Sequence, residues 1–166
     1  MTESIISFFN ESPMWIKDLI TFVVSMLPIV ELRGAVPIGV ALGINSWKLY
    51  ILAVIGNMLP IPFVLLLARP VINFCLTNRY FKRIGSWLQS KVNKNSDKIV
   101  KYGTWGLMLF VAIPLPGTGA WTGALVAALL DLRLKKAVPS ILLGVMIAGI
   151  IMLFGSNIVK FIVGLF

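Results

Sequence analysis

The chain has 166 residues, of which 58% are hydrophobic and 13% charged, with a mean hydropathy of +0.95; a soluble domain is about half apolar and a quarter charged, so an ordinary soluble fold is excluded. Its formal charge of +9 sits in stretches that flank apolar blocks, which argues for a membrane surface and against nucleic acid. The absence of histidine and the single cysteine, Cys75, remove the commonest general base, any internal disulfide and any cysteine-built metal centre, so no enzyme, metal or cofactor is expected.

The first stretch, MTESIISFFNESPMWIKD, is acidic where a secretory signal is basic, so it is expected to be retained. Ile5, Ile6, Phe8, Phe9, Met14, Trp15 and Ile16 beside Glu3, Glu11 and Asp18 suggest a short interfacial helix anchored by Trp15.

The first apolar block, Leu19 to Ile44, is long enough to cross the ~30 Å hydrocarbon layer. It is interrupted by PIVELRGAVPIG, Pro28 to Gly39, where proline removes a backbone donor and glycine loosens the helix. Such breaks survive in a membrane only where protein or water covers them. Glu31 is the one carboxylate within any apolar block, and Arg33 the one basic residue well inside one. Ionisable groups at this depth cost roughly 2.5–3.5 kcal/mol on insertion scales, which makes both functional candidates. A buried carboxylate can exchange protons near neutral pH, and a guanidinium grips anions through its planar fork. The competing reading is a structural ion pair that pins the break.

The second block, Leu49 to Ala68, reads as a true span, with Asn57 as a substrate or ion contact and Pro60 and Pro62 as a kink. Between Arg69 and Lys101 eight basic residues face one acid, Asp97, so this segment is expected to be cytoplasmic. Within it Ile72, Leu76, Tyr80, Ile84 and Leu88 recur at spacing four over 71–92, as in a helix lying on anionic headgroups. The third block, Thr104 to Leu130, is broken by IPLPGTGAWTG, Ile113 to Gly123. There Pro116, Gly117, Thr118 and Gly119 offer amides, a hydroxyl and a helix N-terminus as a polar cradle for substrate. The same composition suits any tight turn. The fourth block, Ala137 to Val159, reads as a second span.

Charge placement turns the two broken blocks into hairpins. Arg133, Lys135 and Lys136 form a second basic cluster after the third block. If that block spanned, one cluster would lie outside; if it leaves by the side it entered, both stay inside. The same logic gives the first block an outer entrance, so the two halves run in opposite senses. The expected fold is all-α and integral to the membrane: an inverted repeat in which each half has an interfacial amphipathic helix, a re-entrant helical hairpin and a transmembrane helix. The first repeat covers 1–70, the cytoplasmic basic helix and connector 71–102, and the rest of the second repeat 103–166. A slide of 88 residues agrees, placing Pro28 on Pro116, Leu42 on Leu130, Ile44 on Leu132, Lys48 on Lys136 and Gly56 on Gly144. Small residues recur every four positions in both second arms, at Ala35, Gly39 and Gly43 and at Gly119, Gly123 and Ala127, as close helix packing requires.

The stretches ELRGAVPIGVALG, Glu31 to Gly43, and PLPGTGAWTGALVAALL, Pro114 to Leu130, strongly resemble the putative small multi-drug export protein family. The likeness extends over nearly the whole chain. That family looks like a distant relative of the DedA and VTT membrane proteins, which implies paired re-entrant hairpins and movement of lipids such as polyprenyl phosphates. Glu31 and Arg33 match the acidic and basic positions of the first motif, and Pro116, Gly117, Thr118 and Gly119 match the second. The second hairpin lacks the arginine that the DedA pattern carries.

The expected function is a proton-linked transporter of an amphiphilic or anionic lipid-like substrate, with Glu31 as proton carrier and Arg33 as headgroup ligand. Alternatives are small-drug efflux and a gradient-independent scramblase or membrane-shaping protein. The expected location is the cytoplasmic (inner) membrane, multi-pass, with membrane lipids and protons as partners. Two spans and two half-depth hairpins make a thin bundle, so a homodimer is expected. Single cysteines introduced at Asn45 and at Arg133, in a background lacking Cys75, are expected to react with an impermeant thiol reagent from opposite faces of the membrane; same-face labelling restores four ordinary spans.

Overall fold

The computed structural model describes residues 12–77, 102–115, 117–130 and 132–163, and three isolated helical positions at 83, 86 and 90. The described residues are helices and turns, with no strand among them. In chain order they are α1 (Met14–Met26), α2 (Glu31–Ala41), α3 (Ser46–Met58), α4 (Ile61–Thr77), α5 (Tyr102–Ala112), α6 (Ala120–Leu129) and α7 (Leu134–Val163).

Both broken blocks are broken where proline and glycine cluster. The first is α1, a turn over 27–30 and α2; the second is α5, an irregular tip over 113–119 and α6. The first span is interrupted at 59–60, because Pro60 and Pro62 offer no N–H to the carbonyls of Gly56 and Met58. The chain resumes with Val64 N donating to the Pro60 carbonyl at 3.0 Å. By length and composition, Ser46–Ala68 and Leu134–Ile162 are long and apolar enough to cross a membrane.

Three boundaries differ from the sequence reading. Trp15 and Ile16 belong to α1, which starts directly after Pro13 and runs without a break into the first block as far as Met26, so there is no separate helix over 14–16. Proline has no donor to lose at a helix start, and nothing between Met14 and Leu19 breaks the helix. The remainder of that expected helix lies outside the described residues. Val71–Thr77 continues α4 through Pro70 instead of opening a new helix, since a membrane helix tolerates an internal proline. Apart from positions 83, 86 and 90, the rest of the expected basic helix falls outside the described residues. At the other end α7 begins at Leu134, three residues ahead of the expected span.

The chain divides into two compact units, Met1–Leu59 with Met146–Phe166, and Pro60–Val145. In the first, α1 packs on α2 and α3. Gly56 is buried against Ser25 and Phe22, where an added Cβ would lie 2.7 Å from the Phe22 carbonyl oxygen. Gly39 takes the Leu49 side chain, and Gly149 lies against Tyr50 and Leu32. Two polar contacts define one end of this unit: Lys48 pairs with Asp18, and Lys160 Nζ donates to the Val40 carbonyl at 3.2 Å. The start of α1, the end of α2, the start of α3 and the end of α7 therefore meet there, and the 27–30 turn is the other end of a hairpin. Thirteen residues of α1 span roughly 20 Å, well short of the ~30 Å layer.

In the second unit α4 packs on α6, and Leu107, Val111, Ala120, Ala124, Ala127, Ile141 and Val145 form the core. Gly123 faces Val111 and Leu107, and an added Cβ at Gly144 would meet the Met108 carbonyl at 2.7 Å.

The local backbone recurs at the 88-residue offset. Leu42 N donates to Ile38 O at 2.9 Å, as Leu130 N does to Val126 O at 2.9 Å. Ile44 N donates to Gly39 O at 3.1 Å, as Leu132 N does to Ala127 O at 3.0 Å. The next helix opens at Ser46 in one half and at Leu134 in the other. Each unit thus holds one hairpin, the first part of the helix that follows it, and the last part of the helix that follows the other hairpin.

Gly144→Leu is expected to lower stability by about 1–3 kcal/mol through overpacking against the Met108 carbonyl and Val111. Gly155→Leu, in the same helix where nothing lies within 4 Å, is expected to leave the thermal midpoint in detergent unchanged.

Candidate functional site at the first helix break

The turn between α1 and α2 is built by backbone bonds that step over the break: Glu31 N donates to Leu27 O at 2.9 Å, and Gly34 N to Val30 O at 3.0 Å. Between them the chain reverses at Glu31, whose φ of 51° is the one positive value at a non-glycine position among the described residues. A left-handed conformation costs an ordinary residue about 1–2 kcal/mol, and glutamate has no special aptitude for it. Neighbouring Ile29 is 94% exposed and Glu31 only 5% exposed. The reversal thus drives the carboxylate inward and leaves an apolar side chain outside.

Glu31 also opens α2, where the unpaired amides of a helix N-terminus favour negative charge. Arg33, partly buried two residues on, is close enough for the Glu31 charge to act on its guanidinium. The two ionisable residues singled out in the sequence therefore share one break and one electrostatic environment.

By helix register Asn57 is expected near the same level. Leu49 packs on Gly39, and α2 and α3 run in opposite directions with equal rise per residue. Continuing that register puts Ala53 level with Ala35 and Asn57 level with Glu31. Asn57 is 2% exposed, and its Oδ1 has no hydrogen-bond partner among the described residues.

The second break has a different character. Gly117 has φ 84° and Gly119 φ 128°, conformations that glycine adopts without penalty. The Thr118 hydroxyl lies 2.8 Å from both the Ile113 and Leu115 carbonyl oxygens, and Thr118 N donates to Leu115 O at 3.2 Å. The Thr118 hydroxyl thus helps to close the turn with its proton and keeps its acceptor lone pairs. Pro116 lies outside the described residues, and the described residues of this tip carry no charge.

Three features of the first unit escaped the sequence reading. Thr21 and Ser25 are fully buried polar residues in α1, legible in retrospect from their position on the face of Asp18. Lys160 reaches the end of α2, which no local pattern indicates. An open groove of about 680 Å³ runs between α3 and the last part of α7, lined by residues that include Trp47, Tyr50, Ile150, Phe154 and Asn157. The Tyr50 hydroxyl donates to the Met146 carbonyl at 3.1 Å on one side of it.

Among the described residues the fold is helical, and two membrane-length apolar helices with shorter broken ones and widely exposed aromatic and aliphatic side chains fit a helical membrane protein. The family model described as putative small multi-drug export protein matches residues 31–151, from Glu31 at the first break to Ile151 in α7, and the chain belongs to that family. Neither a curated protein nor a solved structure gives a match, and the expected kinship with DedA and VTT proteins is not shown.

Replacing Glu31 tests the backbone reading directly. Glu31→Gly is expected to retain or gain up to about 1 kcal/mol of stability, since glycine accepts a positive φ. Glu31→Val is expected to lose about 2 kcal/mol, because a β-branched residue resists that conformation. Thermal unfolding of the purified variants in one detergent measures both.

Proposed function

We propose that this protein is a proton-linked exporter of small amphiphilic molecules, built as two inverted repeats in the cytoplasmic membrane, with Glu31 as the proton carrier. The observation that carries the reading is the burial of Glu31 in a left-handed conformation at a break in an apolar hairpin, with Arg33 beside it. Strain and charge burial at one residue are costs that packing alone does not require, and such residues cluster at functional sites.

A half-depth hairpin puts that carboxylate near the middle of the bilayer, where alternating access needs its coupling group. Protonation would remove the charge at that depth and loosen its hold on Arg33. The two states of Glu31 would then differ in how tightly the break is closed, which is the differential interaction that coupling demands. Arg33 and Asn57 would meet the polar end of a substrate. The groove beside Tyr50, at about 680 Å³, is in the size range of small-molecule sites and apolar enough for the rest of it.

The inverted arrangement is supported by the paired hydrogen bonds at the 88-residue offset and by the basic clusters that flank the second hairpin. The second tip, neutral and closed on itself, would serve as a hinge or a lid. A lipid phosphate is the special case in which the polar end is anionic and Arg33 its ligand. A homodimer would cover the polar breaks from lipid.

Purified protein in liposomes provides the test. Glu31→Gln is expected to fold, to bind a fluorescent amphiphile as the unaltered chain does, and to lose pH-gradient-driven transport. Unchanged transport with unchanged pH dependence in that variant would remove the proton-carrier role.

A further inference from the structure

The groove between α3 and the last part of α7 lies wholly within the first unit. Its α7 wall includes Met146, Ile150, Leu153 and Asn157, which recur at intervals of four, three and four and so form one stripe. Lys160, three residues further on, continues that stripe, and its ammonium reaches the Val40 carbonyl at 3.2 Å. The α3 wall is Ser46, Trp47 and Tyr50, at the start of that helix. Trp47 is 76% exposed and Phe154, beside the stripe, 67% exposed, so large aromatic surfaces line the groove uncovered.

The two ends of the groove differ. At the apolar end the Tyr50 hydroxyl donates to the Met146 carbonyl at 3.1 Å and joins the two walls. From Met146 to Asn157 α7 rises roughly 16 Å, and the apolar side chains give way to Asn157 and Ser46 and then to Lys160. That polar end is where the starts of α1 and α3 meet the ends of α2 and α7, and its tryptophans and lysines suit a membrane interface. Among the described residues the charged groups there are Lys17, Asp18, Lys48 and Lys160, three lysines against one aspartate for a formal charge of +2. Asp18 is already paired with Lys48. The bond to Val40 occupies one of the three Lys160 donors, and the opening turn of α3 adds the positive end of its dipole.

We propose that this groove is an entry site for single-chain anionic amphiphiles, which lie with the alkyl chain along the α7 stripe and the anionic group at Lys160. The proposal rests on the groove being a substrate surface of the exporter, and adds the class of molecule that it admits. A groove one stripe wide suits one chain. Lipophilic cations fit the same apolar walls, but at the open end they meet a positive field and no described carboxylate other than the one that Lys48 holds. An exposed ion pair in water is weak; at the mouth of an apolar groove the lower dielectric strengthens the attraction. Arg33 lies seven residues before Val40 in α2, roughly 10 Å along the helix axis, so an anion received at Lys160 has a second cation to reach at the level of Glu31.

The test is equilibrium quenching of tryptophan fluorescence in nanodiscs of zwitterionic lipid, with probe concentrations counted in the bilayer. The probes are an alkyl sulfonate brominated along its chain and an alkyltrimethylammonium of the same length and bromination. The sulfonate is expected to give a saturable quenching that Trp47→Phe removes, with a Kd at least about tenfold below that of the ammonium. Lys160→Gln is expected to weaken the sulfonate about tenfold and to leave the ammonium no weaker. Asn157→Asp puts a negative charge beside Lys160 and spares the bond to Val40; it carries the same expectation and replaces Lys160→Gln should that variant fail to fold. Equal affinity for the two probes overturns the proposal, as does a sulfonate bound normally by both variants, or the absence of saturable quenching at Trp47. A sulfonate that binds at Trp47, together with unchanged transport and pH dependence in Glu31→Gln, keeps this site and removes the proton-carrier role.

Discussion

A chain in lipid cannot leave backbone amides and carbonyls unpaired, and most of this structure follows from how that constraint is met at its two interruptions. At the first, the bonds from Glu31 to Leu27 and from Gly34 to Val30 close the gap, at the cost of a left-handed glutamate. At the second, two glycines absorb the unusual angles and a threonine hydroxyl ties down the carbonyls. One break stores strain and charge, and the other is relaxed and neutral. The placement of the helices on either side follows from these two turns, and so does the contrast in chemistry between them.

The two units are related by composition as much as by sequence. Each combines its own hairpin with the first part of the helix that follows and the last part of the other half's long helix. Small residues make this possible, since Gly39, Gly56 and Gly149 in one unit, and Gly123 and Gly144 in the other, admit side chains or carbonyls where any Cβ would collide. The polar contacts at the end of the first unit, Asp18 with Lys48 and Lys160 with Val40, then fix helix ends that apolar packing alone would leave free to slide.

Much of this is legible in the chain itself. Proline and glycine locate both breaks, hydropathy finds both long helices, and the isolation of Glu31 and Arg33 within apolar sequence places both at the first break. At two of the positions in the 88-residue slide, Leu42 with Leu130 and Ile44 with Leu132, the helix-end hydrogen bonds also match. Other features have no local signature. The left-handed angle at Glu31 is imposed by the pairing of its neighbours, and Thr118 reads equally as a ligand or as a turn-closing hydroxyl until the carbonyls beside it are seen. Thr21 and Ser25 are small enough to pass for packing residues in a membrane helix; their spacing from Asp18 puts them on one face, but that this face is covered by α3 emerges only from tertiary structure. Trp15 sits in the first turn of α1 and not in a separate helix, a boundary that composition does not fix because aromatic anchors and helix starts look alike.

The exchange of helix halves also bears on how the molecule is made. Synthesis delivers α1, α2 and α3 first, but their unit gains its last wall only when the end of α7 arrives, and with it the lysine that holds the Val40 carbonyl. Gly39 and Leu49 meet within the residues translated first, whereas Tyr50 and Leu32 meet Gly149 only from the last helix. The second unit has all its helices before the ribosome finishes. The unit whose first helices are translated earliest is thus the one whose last residues are translated latest.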